Sequence, residues 1–197
     1  MNGYAILGWG SLLWDLGDLA PHVRGDWAMR GGPALPMEFT RVSPKRKMGL
    51  VVCLDAAHGV GCATHAIAST KEEVSAVVAD LARRERAPED RIGRVCLASG
   101  HAHGSSPEIV AGVRRWCLGE GWTGAVWTDL PSNFEDHLGE VFSVPRAVAY
   151  LRRLAGESLD EAVRYIESAP AATDTPLRRA LAAEAWWLAE ARRLRLR

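Results

Sequence analysis

The stretch "ILGWGSLLWD", residues 6–15, carries two apolar residues into Gly8, then an aromatic, Gly10, a hydroxyl and a second apolar run. Its first part, from Tyr4 to Leu7, reads as a short buried strand. Two glycines one residue apart at the exit of that strand remove side chains where plain core would keep them. Either the chain makes a β-bulge or tight turn needed only for packing, or it makes a turn whose amide N–H groups face outward, a small nest that holds a carboxylate. Three better-known glycine loops do not fit. A dinucleotide fingerprint needs a third glycine where Leu13 stands, a phosphate-binding P-loop needs a GK[ST] ending, and a serine-nucleophile elbow needs glycines where Trp9 and Leu13 flank Ser11.

Outward from this stretch, "MEFTRV" (37–42), "GLVVCL" (49–54), "CATHAIA" (62–68), "GRVCLA" (93–98) and "GAVWTDL" (124–130) are rich in β-branched and apolar residues and bounded by Gly, Pro or Asp, the signature of strands. Five or six short strands without a helix between each pair predict an α+β protein with a mixed sheet or small barrel rather than a doubly wound fold. Helices are signposted between and after them. Thr70 with Glu73 forms a capping box for a helix through about Arg86, because Pro88 disfavours helical geometry at Ala87. Pro107 opens a second helix that glycines close, and Ser143 with Pro145 opens a third that Gly156 closes. Ser158 with Glu161 caps the next, and Thr175 with Pro176 starts the last, Leu177 to about Leu194. The chain reads as a single domain, 1–197, in which 143–197 form a helical carboxy-terminal extension.

Composition bounds the function. With 197 residues, 48% hydrophobic and 24% charged, the chain is an ordinary globular sequence that can bury a sizeable core. Lys plus Arg equals Asp plus Glu at 24 each, so no general field draws it to nucleic acid or an anionic membrane. The basic tail "ARRLRLR" suits the negative end of a helix dipole. The uncharged stretch Tyr4 to Trp14 is well short of the roughly 18 apolar residues of a spanning helix, and with Asp15 and Asp18 after it and no basic residue before it, it does not read as a signal peptide. Cys53, Cys62, Cys96 and Cys117 are scattered without a CxxC and read as small buried hydrophobes. Reduced thiols and no leader make a cytoplasmic protein the expectation.

In the helix opened by Thr70 the apolar positions are Val74, Val77, Val78, Leu81 and Ala82, a core-facing stripe. Glu85 extends that stripe: eleven residues after Val74, at about 100° per residue, it returns to within roughly 20° of the same direction. Arg83, Arg84 and Arg86 lie off the stripe and can face water. A carboxylate where a leucine is expected either shifts its pKa upward or finds donors. One outcome is a base matched to neutral pH; the other is a helix-end glutamate that turns to water or pairs with Arg83 or Arg86. His58, His65, His101 and His103 lack the paired spacing of zinc ligands, so no metal site is assigned. Ser132, Asn133 and Glu135 follow a strand, where they form either a site wall or a helix N-cap. Of the eight tryptophans, Trp116, Trp122 and Trp127 read as core, and the adjacent Trp186 and Trp187 cannot both face one core, so one of them covers the sheet or a second subunit, which leaves a homodimer open.

"LGWGSLLW" closely resembles the "FGYGSLIW" motif that opens proteins of the γ-glutamylcyclotransferase family, particularly its ChaC-like branch, with Trp9 in place of the usual tyrosine. In that family a glutamate near the end of a later helix is the catalytic acid/base, and "LARRERA" resembles the segment that carries it, with Glu85 in its place. The resemblance covers approximately residues 4–100. It implies a small mixed β-barrel of five to six strands with interspersed helices, and a cofactor- and metal-independent enzyme that releases 5-oxoproline and a free amine from a γ-glutamyl amide. It assigns Glu85 as the catalytic residue and Trp9, Gly10, Ser11 and Leu12 as the turn that binds the substrate. Where that branch often continues its glutamate with Gly-Gly-Tyr this chain has "RAPEDR", and residues 105–197 match no motif of the branch. A non-catalytic ligand- or partner-binding member of the fold, or an enzyme acting on γ-glutamylated amines, are the rival readings.

Overall fold

The apolar run before the glycine turn forms β1 (Tyr4–Gly8), buried along its whole length in the computed structural model, which describes residues 3–195. In chain order there follow β2 (Val23–Ala28), β3 (Ala34–Ser43), β4 (Gly49–Leu54), β5 (Val60–Ala63), β6 (His65–Ser69), α1 (Val74–Glu85), β7 (Ile92–Cys96), β8 (Ala102–His103), α2 (Pro107–Glu120), β9 (Gly124–Thr128), α3 (Phe134–Leu138), α4 (Val144–Arg153), α5 (Glu157–Ser168), α6 (Pro176–Ala182) and α7 (Ala185–Arg195). The expected α+β class is what the chain adopts. Its described residues group into two compact units interleaved in sequence, one of residues up to 35 with 63–130, the other of 36–62 with those from 131 onward. Leu196 and Arg197 of the basic tail lie outside the described residues.

The first unit is built on a six-stranded sheet in the order β2-β6-β1-β9-β7-β8. β1 pairs antiparallel with β6 and parallel with β9, so β1 and β9 end on the same side of the sheet and β6 begins there, with Gly8 opposite His65. Strand alternation places Tyr4 and Ile6 on one face with Ile67, Val126, Ile92 and Cys96, and the stripe of α1, Val77, Val78, Leu81 and Ala82, packs onto that layer. Each Val, Leu or Ile of this layer, fully removed from water, contributes about 1.5–3 kcal/mol. Helix α2 lies against β7 and β9. Gly93 is required by packing: a Cβ there would sit 2.0 Å from the indole of Trp127, its partner across the β7–β9 ladder. The sheet ends at β2 and β8, so the expected barrel is not closed among the described residues. Its edges are short or polar, which suits strands with one unpaired side.

The second unit holds the sheet β4-β3-β5 and the helices from α3 onward. A polar residue stands buried in its strand β3. Glu38 is fully buried on β3, where its Oε1 accepts the Phe39 N–H at 2.8 Å and its Oε2 accepts the Leu177 N–H at 3.1 Å in the first turn of α6. A carboxylate at a helix start meets orphan amides and the positive end of the dipole, which offsets its desolvation. Burial nevertheless pushes its pKa above the usual carboxylate range. Asn133 completes β3 from outside the sheet, its Oδ1 accepting the Val42 N–H at 2.7 Å and its Nδ2 donating to Val42 O at 3.1 Å. Trp187 is buried with its Nε1–H on Glu167, while Trp186 faces outward under Arg152.

Several element boundaries differ from the sequence expectation. The strand expected over 62–68 breaks at Thr64, whose Oγ1 donates to Pro33 O at 2.7 Å, and its two halves join different sheets. The capping box at Thr70 does not form: the Thr70 N–H donates to His22 O, and α1 starts four residues later with Glu73 as its cap. Gly156 opens α5 with φ 56° instead of closing α4, so Ser158 lies inside α5 and does not cap it. The last expected helix is two, α6 and α7, broken at Ala183 and Glu184.

Candidate functional site

Helix α1 runs from beside Tyr4 toward the end of β1 and delivers its last turn to the glycine segment. It closes with a Schellman pair, the Ala87 N–H on Ala82 O at 3.0 Å and the Arg86 N–H on Arg83 O at 3.1 Å. That closure holds Arg86 in the left-handed conformation, φ 54°, which a glycine would adopt without a steric penalty. Glu85 is thus the last helical residue, immediately before a strained one.

The Glu85 side chain is 15% exposed, mostly covered but not sealed. It finds a donor: Arg84 Nη1 lies 2.9 Å from Glu85 Oε1. This corrects the expectation that Arg84 faces water, because its side chain is only 4% exposed and its guanidinium is the centre of the site. Arg84 Nη2 donates to Asp15 O at 2.5 Å and to Ser11 Oγ at 3.5 Å. One planar group with donors on both arms therefore ties the glutamate at the helix end to the segment after the glycines. The sequence did carry the signal: Arg84 is seven residues after Val77, as nearly on the stripe as Glu85 is relative to Val78.

The glycine segment leaves β1 and enters a 3-10 turn, Ser11–Leu13, whose first internal bond is the Leu13 N–H on Gly10 O at 3.0 Å. The Ser11 and Leu12 amides therefore precede the first bond of that turn and have no partner within it. At Gly8 the packing reading applies, since a Cβ there would sit 2.7 Å from the indole of Trp27 and 3.1 Å from Leu13. Of the residues expected to bind a substrate, Trp9, Gly10 and Leu12 are buried and offer main-chain groups, whereas Ser11 is half-buried and reaches Arg84. Ser11 and Glu85, 74 positions apart, are joined through a single guanidinium.

Two further side chains stand at this end of the sheet. His65, opposite Gly8, is 1% exposed, and its Nδ1 accepts the Arg30 N–H at 3.1 Å. Burial and the nearby Arg30 charge lower its pKa, which favours the neutral ring. Its Nε2 and the Nε1 of Trp27 are buried without a hydrogen-bond partner. In the sequence His65 stands out only among histidines that lack zinc-ligand spacing, and Trp27 not at all, because a lone His and a lone Trp are ordinary core residues.

The other candidates are structural. Ser132 and Asn133 bind β3 through Thr40 O and Val42. All four cysteines are buried and free, and burial pushes the Cys53 thiol up to about 11 and the Cys117 thiol up to about 12. Among the described residues no group of three or more His, Cys, Asp or Glu is arranged to hold a metal ion, and no helix is long and apolar enough to cross a membrane. Comparison with protein-family models, with curated proteins and with solved structures finds no match to this chain.

Proposed function

We propose that this chain is a γ-glutamylcyclotransferase-like enzyme that opens a γ-glutamyl amide by attack of the substrate's own α-amino group. The observation that carries the reading is the meeting of the glycine segment and Glu85 on the Arg84 guanidinium. The resemblance of "LGWGSLLW" to the family motif points to those two segments without any knowledge of their placement. Arg86 supports the same alignment, since it holds the left-handed conformation at the position where the ChaC-like branch often has glycine.

In this reading the Ser11 and Leu12 amides take the α-carboxylate of the substrate. Glu85 accepts a proton from the α-ammonium, and the freed amine attacks the side-chain amide carbon. As the five-membered ring closes, the ring nitrogen gives its second proton to solvent, Glu85 returns its own proton to the leaving nitrogen, the C–N bond breaks, and 5-oxoproline and a free amine result. Ring closure within one bound molecule has a very large effective molarity, so the protein's task is to hold the chain bent and move one proton. Arg84 positions the carboxylate and excludes water from one of its oxygens.

One observation favours a second reading. The Arg84–Glu85 ion pair satisfies a carboxylate oxygen by itself, as in a binding protein that kept the fold without the chemistry. Incubation with glutathione, γ-glutamyl amino acids and γ-glutamylamines, followed by quantification of 5-oxoproline, separates the two. Release from one class and not the others names the leaving amine, and no release from any supports the binding protein.

A further inference from the structure

Ile6 and Ile67 mark the α1 face of the β1–β6 pair, and Gly8 and His65, opposite each other at its end, share that face. Arg30, at the tip between β2 and β3, lays its amide N–H on His65 Nδ1 at 3.1 Å. From there the chain crosses the end of the sheet. The Gly32 N–H donates to Thr64 O at 3.1 Å, a Cβ on Gly32 would meet Leu7 on the opposite face at 3.2 Å, and Gly31 O accepts the Trp116 Nε1–H of α2. Leu13 of the 3-10 turn also lies beside Gly8. Arg30 and the Ser11–Leu13 turn therefore flank one strand end, the one at which β1 enters the glycine segment. The bond to His65 holds Arg30 at φ 60°, a conformation that a non-glycine residue keeps only where its surroundings fix it.

The Arg30 side chain is exposed and pairs with no carboxylate among the described residues. Its charge nevertheless acts at this end of the sheet, since after burial it is the second cause that lowers the His65 pKa. Arg84, by contrast, is committed to Glu85, Asp15 O and Ser11. We infer that Arg30 selects substrates whose departing amine carries a carboxylate of its own, an amino acid or a peptide, over those that release a simple amine. The inference rests on the proposed cyclisation, which places the substrate's α-carboxylate on the Ser11 and Leu12 amides and leaves a carboxylate on the departing amine in need of a second cation. An exposed arginine suits that end of the molecule. Its guanidinium takes both oxygens of a carboxylate, and an exposed ion pair is weak enough to release the departing amine.

The test compares γ-glutamylalanine with γ-glutamylethylamide, which differ only by the carboxylate on the departing amine. Binding is read by calorimetry in the Glu85→Gln background, which keeps the amide intact, and turnover by 5-oxoproline release in the chain that retains Glu85. γ-Glutamylalanine is expected to bind about fivefold more tightly at low ionic strength, the upper worth of an exposed charge pair, and to hold the same advantage in kcat/KM. Added salt shrinks the preference. Arg30→Gln abolishes it, and Arg30→Lys keeps part of it. Equal binding of the two compounds, or a preference that survives in Arg30→Gln, overturns the role of Arg30. Release of 5-oxoproline without a carboxylate preference removes that role alone. A preference in binding without release keeps the role and removes the enzyme, and the absence of both binding and release removes both.

Discussion

Replacing Arg84 with Met keeps a buried stem of similar length and removes only the guanidinium. The structure then loses the ion pair to Glu85 and the bond to Asp15 O, and the contact to Ser11 Oγ with them. Breaking a buried charged pair by removing one partner leaves the other poorly satisfied, and one charged bond to a covered carbonyl adds to it, so the expected loss is about 2–4 kcal/mol. The neighbouring Arg83 is an internal control. Its side chain is 56% exposed and pairs with Asp80, which also has Lys71 and His22 close by, so Arg83→Met should cost about 1 kcal/mol or less. Urea unfolding of both variants, followed by far-UV circular dichroism, gives the comparison directly. Glu85→Gln made in the Arg84→Met background should cost less than in the wild type, because the two substitutions remove one shared interaction. Equal midpoints for Arg84→Met and Arg83→Met, or additive effects in the double variant, would refute the claim that Arg84 is the clamp of this site.

Arg86→Gly relieves a left-handed non-glycine residue and should raise the thermal midpoint, by up to about 1 kcal/mol of stability, with turnover retained; a lowered midpoint in calorimetry contradicts the strain. Glu38→Gln keeps one acceptor for two amide donors and sets its NH2 group against the other, so it should lose about 1–3 kcal/mol in chemical unfolding. The raised pKa of Glu38 also has a signed consequence. The folded state holds that proton more tightly than the unfolded chain, so the associated stability is present below the ordinary glutamate range and lost as pH rises through the folded value. Glu38→Gln should flatten this part of the stability–pH curve, and an unchanged slope counts against it. His65 acts with the opposite sign: its lowered pKa gives stability that is present above about 6.5, the ordinary histidine value, and lost as pH falls toward the folded value, a loss that His65→Phe should abolish.

Much of the first unit was legible because its signals are periodic. The apolar run at Tyr4–Leu7, the stripe of α1 and the Pro107 start of α2 all reappear where periodicity and the chemistry of helix ends put them. β2 escaped notice because "VRGDWA" is a polar edge strand, held by its ladder to β6 rather than by a hydrophobic face. The break at Thr64 is a tertiary event, set by hydrogen bonds with Gly32 and Pro33 on a distant segment, and strand propensity has no knowledge of it. The same holds for Asn133, whose amide substitutes for a strand, and for Glu38, visible only as an acid within "MEFTRV". At the candidate site, periodicity pointed to Glu85 and left its partner uncertain. Arg84 reads as lying off the stripe and free to face water, yet its guanidinium turns onto Asp15 O and Ser11 Oγ, partners that only tertiary placement brings near.

On the proposed function Glu85, held beside the glycine segment, moves the proton that lets a γ-glutamyl chain cyclise. The most direct measurement is the initial rate of 5-oxoproline formation from the best γ-glutamyl substrate, wild type against Glu85→Gln, with unfolding midpoints of both recorded. The folded Glu85→Gln protein is expected to lose about 10²–10⁴-fold in rate, the usual worth of a positioned acid/base. A folded variant that releases 5-oxoproline at the wild-type rate would contradict the proposed function.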